Sequence, residues 1–91
     1  MEVEYDPEKR ELVLTKRGLD MAEAGQVFDG PHVTTEDDRF DYGETRYGTV
    51  GLLNGRMVFV VWTVRGPRRR IISMRKINER EQKRYGPLLG L

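Results

Sequence analysis

Apolar and polar positions are most tellingly ordered between residues 44 and 75. Val50-Gly51-Leu52-Leu53 and Met57 to Val64 are two apolar runs separated by Asn54-Gly55, and Arg68 to Arg75 follows after Gly66-Pro67. Asn-Gly tolerates φ > 0 at both positions, which a two-residue type I′ hairpin turn requires. The run Met57 to Val64 is apolar at nearly every position and rich in β-branched and aromatic residues. A strand buried on both faces has that pattern, so this run is expected to be the central one of three consecutive antiparallel strands. Gly66-Pro67 breaks it before the next strand.

The hairpin also predicts a register. With Asn54 and Gly55 as loop residues, Leu53 pairs with Arg56, Val50 with Phe59, Tyr47 with Trp62, Arg46 with Thr63 and Glu44 with Arg65. Period-two alternation then places Glu44, Arg46, Thr63 and Arg65 on one face near one end of the sheet, with Tyr47 on the other face. Arginine forks beside a carboxylate suit phosphate recognition and phosphoryl-transfer chemistry. The plainer reading of the same residues is a cross-strand ion pair on a solvated sheet end.

Outside this core the signals are mostly caps. Val3-Glu4-Tyr5 reads as a short strand. Asp6-Pro7 opens a helix with an N-cap and a first-turn proline, and Lys16-Arg17 and Gly18 close it. A hairpin over Tyr5 to Leu14 is the competing reading, because Leu12 to Thr15 has strand propensity. Asp20 and Glu23 form a capping-box pattern for a second helix, with Met21, Ala24, Gly25 and Phe28 on its core face. His32-Val33-Thr34-Thr35 reads as a short strand, followed by an acidic loop with Glu36, Asp37, Asp38 and Asp41. Its spacing does not match an EF-hand, and a solvated loop is the expectation. His32 is the only histidine, and a lone loop histidine is ordinarily structural. Asn78 and Glu81 make a second capping box, with Ile77 preceding it, for a helix to about Tyr85 that Gly86-Pro87 ends. That helix is polar nearly all round, and the apolar Leu88, Leu89 and Leu91 behind it need to dock on the domain or on a partner.

Composition narrows the chemistry. The 91 residues fit one small domain spanning the chain, and with no cysteine there is no disulfide framework, thiol nucleophile or Cys-ligated zinc. No cofactor motif is present, and no targeting or membrane-length apolar segment occurs, which reads as a soluble, cytoplasmic protein. The net charge is only +1, but residues 1–44 carry thirteen acids against five Lys/Arg, whereas residues 65–84 carry nine Lys/Arg against two acids. A basic C-terminal third suggests a polyanion surface; the alternative is that the two halves neutralise each other in the fold.

The residues resemble a known family. The pattern runs from Tyr5-Asp6-Pro7-x-Lys9, Lys16-x-Gly18 and Ala24-x-x-Val27-Phe28-Asp29 through Gly43-Glu44-x-Arg46, Val50-Gly51 and Val60-Val61-x-Thr63-x-Arg65-Gly66. It continues with Arg70-Ile71-Ile72-Ser73-x-Arg75-Lys76 and closes with Glu79-Arg80-Glu81-x-x-x-Tyr85. Over residues 3 to 85 it is similar to the BrnT toxins. The resemblance implies a RelE-like α+β fold, here a small antiparallel sheet with N-terminal helices and a C-terminal helix. It also implies a ribonuclease that arrests translation and a partner antitoxin resembling BrnA. Such antitoxins carry a ribbon-helix-helix type DNA-binding domain, so operator DNA is reached only through the partner.

Val13 stands where the family pattern usually has Asn, and Lys16-Arg17-Gly18 where it has Lys-His-Gly, which removes the obvious general acid/base. Metal-free cleavage by a 2′-hydroxyl can still run on positioning and charge stabilisation. Glu44, Arg46, Arg65 and Arg75 are the expected catalytic residues, with Lys16, Arg17, Arg68, Arg70 and Lys76 expected to bind RNA. The expected function is an RNA endonuclease toxin neutralised by an antitoxin. The alternatives are a catalytically inactive relative acting as an antitoxin-binding corepressor, and a nucleic-acid-binding module with no toxin history.

Overall fold

A computed structural model describes all 91 residues. Five strands form one sheet in the order β1-β5-β4-β3-β2, with β1 Glu2–Tyr5, β2 His32–Asp37, β3 Arg46–Leu53, β4 Arg56–Arg65 and β5 Arg68–Lys76. The helices are α1 Pro7–Arg17, α2 Gly25–Asp29 and α3 Glu79–Tyr85. The architecture is the expected α+β, with β4 central.

The hairpin is built as its turn residues dictate. Asn54 and Gly55 sit at φ 51° and 78°, and the strands pair Leu53 with Arg56, Val50 with Phe59, Tyr47 with Trp62 and Arg46 with Thr63. One edge departs from an all-antiparallel sheet: β1 runs parallel to β5, with Glu2 opposite Arg68 and Glu4 opposite Arg70. The two strands are more than sixty positions apart, so no local signal announces the pairing. It brings Glu2 and Glu4 each to 3.5 Å from those arginines, which partly neutralises the basic third with the acidic one.

Side-chain parity separates two faces. Val58, Val60 and Trp62 of β4 pack with Val13, Leu19, Met21, Ala24 and Val27 from the N-terminal helices. The far face holds a smaller cluster, Val50, Met57, Ile77 and Leu89, with Phe59 and Tyr85 against it. Trp62 donates its indole N–H to Thr49 Oγ1 at 2.8 Å, so the buried ring is satisfied. A register shift between Val61 and Trp62 resets the parity of β5. No helix is long and apolar enough to cross a membrane.

Three caps work as read. Asp6 accepts from Glu8 N at 3.0 Å and Gly18 closes α1 at φ 68°, and Asn78 and Glu81 form a reciprocal capping box on α3. The second helix does not form as one piece. Met21–Glu23 is a single 3₁₀ turn and α2 starts only at Gly25. Asp20 still caps the 3₁₀ turn through Ala22 N, and its carboxylate is also held by Arg10 of α1 at 2.7 and 2.9 Å. Of the expected core face Met21 and Ala24 are buried and Gly25 and Phe28 only half-buried, while Val27, outside that face, is fully buried. β2 also extends two residues beyond the expected strand, taking Glu36 and Asp37 out of the acidic loop and pairing them with Tyr47 and Arg46. Of the terminal leucines only Leu89 docks; Leu88 and Leu91 are 63% and 67% exposed.

Gly51 is where the sheet meets α2 most closely. A Cβ there would lie 2.7 Å from Val27 Cγ1 and 3.1 Å from the Val27 carbonyl oxygen. Gly51→Ala is therefore expected to destabilise the fold by about 1–3 kcal/mol through overpacking. A urea melt with an unchanged midpoint would show that α2 yields freely.

Candidate functional site

The far face carries a row of charged side chains from one sheet end to the other. Glu44 lies just before β3, at the end of the loop that leaves β2, and accepts from two arginines. Arg46 Nε donates at 3.2 Å and Arg65 at 3.1 Å. Arg46 and Arg65 share a face because Arg46 pairs with Thr63, two residues from Arg65. Glu44 and Arg46 are about three-quarters buried as side chains and Arg65 is half exposed. The Arg46 hydrogen bond, with Arg65 behind it, holds the Glu44 carboxyl below its ordinary value against the opposing effect of burial.

The row continues through residues that the sequence pattern did not single out. The Arg46 guanidinium lies over the Tyr42 ring, 4.0 Å from its centroid. The Tyr42 hydroxyl donates to Asp37 at 3.5 Å, and Asp37 holds Arg39 through two contacts of 2.8 and 2.9 Å. Beyond them a shallow groove has Gly48, Phe59 and Arg75 as its floor, with Thr35, Glu36, Asp37, Asp38 and Arg39 on the β2 side and Glu81 and Tyr85 on the α3 side. Four carboxylates thus border it against two arginines. Arg75 is bound bidentately by Glu81 at 2.9 and 3.0 Å and covers the Phe59 ring at 4.9 Å. Gly48 keeps that floor open, since a Cβ there would sit 2.6 Å from the ring. Arg39 was legible only as a lone arginine among acids, and the role of Phe59 depends on tertiary packing.

The expected site residues thus fall into separate places. Glu44, Arg46 and Arg65 come together. Arg75 faces the same side, but its partner Phe59 is six residues along β4 from Arg65, roughly 20 Å at strand rise. Arg68 and Arg70 occupy the outer part of this face, near Glu2 and Glu4. Lys16 and Arg17 lie elsewhere, at the end of α1 beside the β5 edge, in a cleft with Lys9, Leu12 and Ser73. Arg17 donates to the Met74 carbonyl at 2.6 Å. Lys76 ends β5 opposite Val58. Tyr47 is on the helix face, stacked on Trp62 at 4.7 Å, as its parity requires. His32 binds the Gly30 carbonyl oxygen through Nδ1 at 2.8 Å and packs edge-on to Phe28. No three His, Asp or Glu side chains converge as a metal-ligand group.

Comparison with known proteins gives one family. The family described as "ribonuclease toxin, BrnT, of type II toxin-antitoxin system" matches residues 5–81. No curated protein matches the chain.

The ion pairs predict a pH response. Asp20, Asp37, Glu44 and Glu81 are each held below their ordinary values, and in each the first cause is an arginine hydrogen bond, from Arg10, Arg39, Arg46 and Arg75 respectively. A carboxyl with a depressed folded-state pKa contributes stability above its unfolded value and loses it as pH falls through the folded value. The melting temperature is expected to hold from neutral pH to about 5 and to fall as pH drops through and below about 4, where the unfolded-state values lie. Asp20→Asn should lower stability at pH 7 and flatten that acid-side slope. A slope identical to wild type in a thermal melt series would remove Asp20 from the explanation.

Proposed function

The chain belongs to the BrnT family of ribonuclease toxins of type II toxin–antitoxin systems, and from that premise we propose that its far sheet face cuts RNA without a metal ion. The observation that carries the reading is the convergence of Arg46 and Arg65 on Glu44. Two guanidiniums held by one carboxylate are positioned in advance, so little reorganisation is needed when a phosphate arrives. In the proposed reaction the ribose 2′-oxygen attacks the adjacent phosphorus and the bond to the 5′-oxygen breaks, leaving a 2′,3′-cyclic phosphate. Arg46 and Arg65 stabilise the charge on the phosphoryl oxygens. Glu44 takes the 2′-hydroxyl proton, and the departing 5′-oxygen takes one from water at this open face. A carboxylate with a lowered pKa is a weak base, so charge stabilisation supplies most of the rate.

Arg75, in the groove beyond Tyr42 and Arg39, acts on the flanking RNA. Arg68 and Arg70 at the outer strand and Lys76 at the end of β5 lend positive potential, with Lys16 and Arg17 more remote. Because Arg68 and Arg70 are near carboxylates, each contributes less than a free arginine.

Two measurements test the site. Cleavage of a single-stranded RNA should persist in excess chelator; activity abolished by chelator and restored by Mg²⁺ would overturn the metal-free mechanism. Arg65→Ala should leave the melting temperature nearly unchanged and lower cleavage by about 10²–10³, the usual effect of removing one charge-stabilising donor. Arg65→Lys keeps the charge but not the planar fork, and full activity in that variant would argue against bidentate phosphate binding.

The partner in this reading is a protein antitoxin resembling BrnA, covering Arg75 to Leu91 and the arginine-bearing sheet end. Lys76, Arg80, Lys83 and Arg84 make no ion pair there, and Leu88 and Leu91 are exposed. An acidic or amphipathic helix neutralises the former and shelters the latter. Leu89 is core, so point changes test this surface more cleanly than truncation. Leu88→Ser with Leu91→Ser should weaken antitoxin binding with little loss of stability, and association should slow as salt rises. Unchanged affinity and a salt-independent on-rate would place the interface elsewhere.

A further inference from the structure

The sheet ends at β2, and nothing in the chain pairs with its outer edge. The parity of that edge follows from the hairpin. Leu53 and Arg56 flank a two-residue turn, so they form a hydrogen-bonded pair, and Gly51, Thr49 and Tyr47 likewise turn their N–H and C=O groups toward β4. Leu52, Val50, Gly48 and Arg46 turn the other way. Val33, Thr35 and Asp37, opposite the last three, therefore complete the ladder with β3, and His32, Thr34 and Glu36 direct their main-chain groups outward. Thr34 and Thr49 form a non-hydrogen-bonded pair on this count. Their hydroxyls are 2.7 Å apart, in keeping with the close side-chain approach of such pairs.

Natural edge strands are ordinarily blunted by shortness, charged side chains, proline, a bulge or a covering element, and of these β2 has charge at one end only, from Glu36 and Asp37. Residues 32–37 contain neither proline nor lysine and run along β3 without a register shift. His32, Thr34, Thr35 and Glu36 are exposed. Beside the strand, the Pro87–Leu89 turn packs against β2 and leaves Leu88 uncovered. Glu36 and Asp38 make no ion pair, so the end of the edge carries negative charge.

We propose that this edge takes an extended segment of the antitoxin as a sixth strand, with Lys or Arg side chains opposite Glu36 and Asp38. The inference rests on the toxin–antitoxin reading and goes beyond it by assigning a second contact of different chemistry. The exposed Arg80, Lys83 and Arg84 of α3 make a basic surface that takes acidic side chains. The β2 edge and the groove between it and α3, which Glu36 and Asp38 help line, are instead acidic, and the edge offers three outward-facing residues for main-chain bonding. Strand addition draws its affinity from those main-chain bonds and its selectivity from the alternate side chains. A second copy of this chain fits less well, because its own edge would bring carboxylates and no Lys or Arg between residues 32 and 37.

Residue-resolved amide exchange by NMR tests this on the full chain, alone and in complex with the full-length antitoxin. In the free chain, Val33, Thr35 and Asp37 should be protected, and His32, Thr34 and Glu36 should exchange freely. In the complex the second set should become protected, an alternating gain that simple covering of a surface does not produce. Glu36→Pro removes one outward N–H and leaves the ladder to β3 intact; it should weaken antitoxin binding about tenfold at unchanged melting temperature. Protection confined to residues 75–91, or wild-type affinity in Glu36→Pro, would overturn the sixth strand and leave the α3 surface standing. Protection at the edge with none at residues 75–91 would support the strand and overturn the α3 surface. Protection that appears with rising concentration of the chain alone would assign the edge to a second copy and overturn the proposal.

Discussion

The two-residue turn at Asn54-Gly55 decides which side of the sheet each side chain of β3 and β4 occupies. With both residues at positive φ, the loop length is fixed and so is the pairing of Leu53 with Arg56. From there parity propagates. Val58, Val60 and Trp62 must face the helices, and Arg46, Thr63 and Arg65 must face away. A slip of one residue would bury two arginines among Val13, Met21 and Val27 and expose the tryptophan. The cost of desolvating unpaired guanidiniums makes that register inaccessible. The same parity assigns the outward main-chain groups of β2, so the candidate site and the open edge are two consequences of one turn.

Charge segregation along the chain serves the fold as well as the surface. Glu2 and Glu4 meet Arg68 and Arg70 across the parallel β1–β5 pair, Glu44 takes Arg65, and Glu81 takes Arg75. Exposed ion pairs of this kind contribute about 0–1 kcal/mol each. They bias which strand lies beside β5 but do not drive folding; the apolar packing of β4 against Met21, Val27 and Val13 does that. What the pairs determine is the surface field. Four of the nine cations in residues 65–84 lie beside carboxylates, Arg69 lies over the Phe28 and Trp62 rings, and the other four, Lys76, Arg80, Lys83 and Arg84, are in or next to α3.

Legibility followed locality. The hairpin, its register from Leu53–Arg56 out to Arg46–Thr63, the α1 caps and the α3 capping box all rest on local rules and formed as read. The expected strand pair of Glu44 with Arg65 did not: Glu44 lies in a bend before β3 and meets Arg65 through its side chain alone. The Glu44–Arg46–Arg65 group was legible because the hairpin register is a local rule carried outward. In the second helix Asp20 caps as read, but only a 3₁₀ turn follows it before α2 begins at Gly25. Its contact with Arg10 ten residues earlier is a tertiary one that local spacing does not announce. β1 beside β5 and the two extra residues of β2 depend on partners that sequence spacing cannot name. Arg75 was grouped with the others by chemistry alone. Its true neighbours, Phe59, Glu81 and the Arg39 loop, come from three separate elements.

The two departures from the family pattern bear on whether the chemistry survives, and their location is informative. Val13 lies in the core against the helix face of the sheet, where an apolar side chain packs without needing the hydrogen-bond partners an asparagine would require. Arg17 closes α1 and binds the Met74 carbonyl, fastening the end of the helix to β5. Both positions are thus engaged in holding α1 against the sheet, while Glu44, Arg46 and Arg65 occupy the opposite face and owe their geometry to the hairpin and the residue 38–45 loop. An inactive relative would be expected to lose the charge constellation first, because an arginine pair around one carboxylate has little structural value at an exposed sheet end. Here the constellation is intact and the changed residues are packed or bonded where they stand. In the proposed reading the chemistry falls to the arginines, since the chain has no histidine at this helix end.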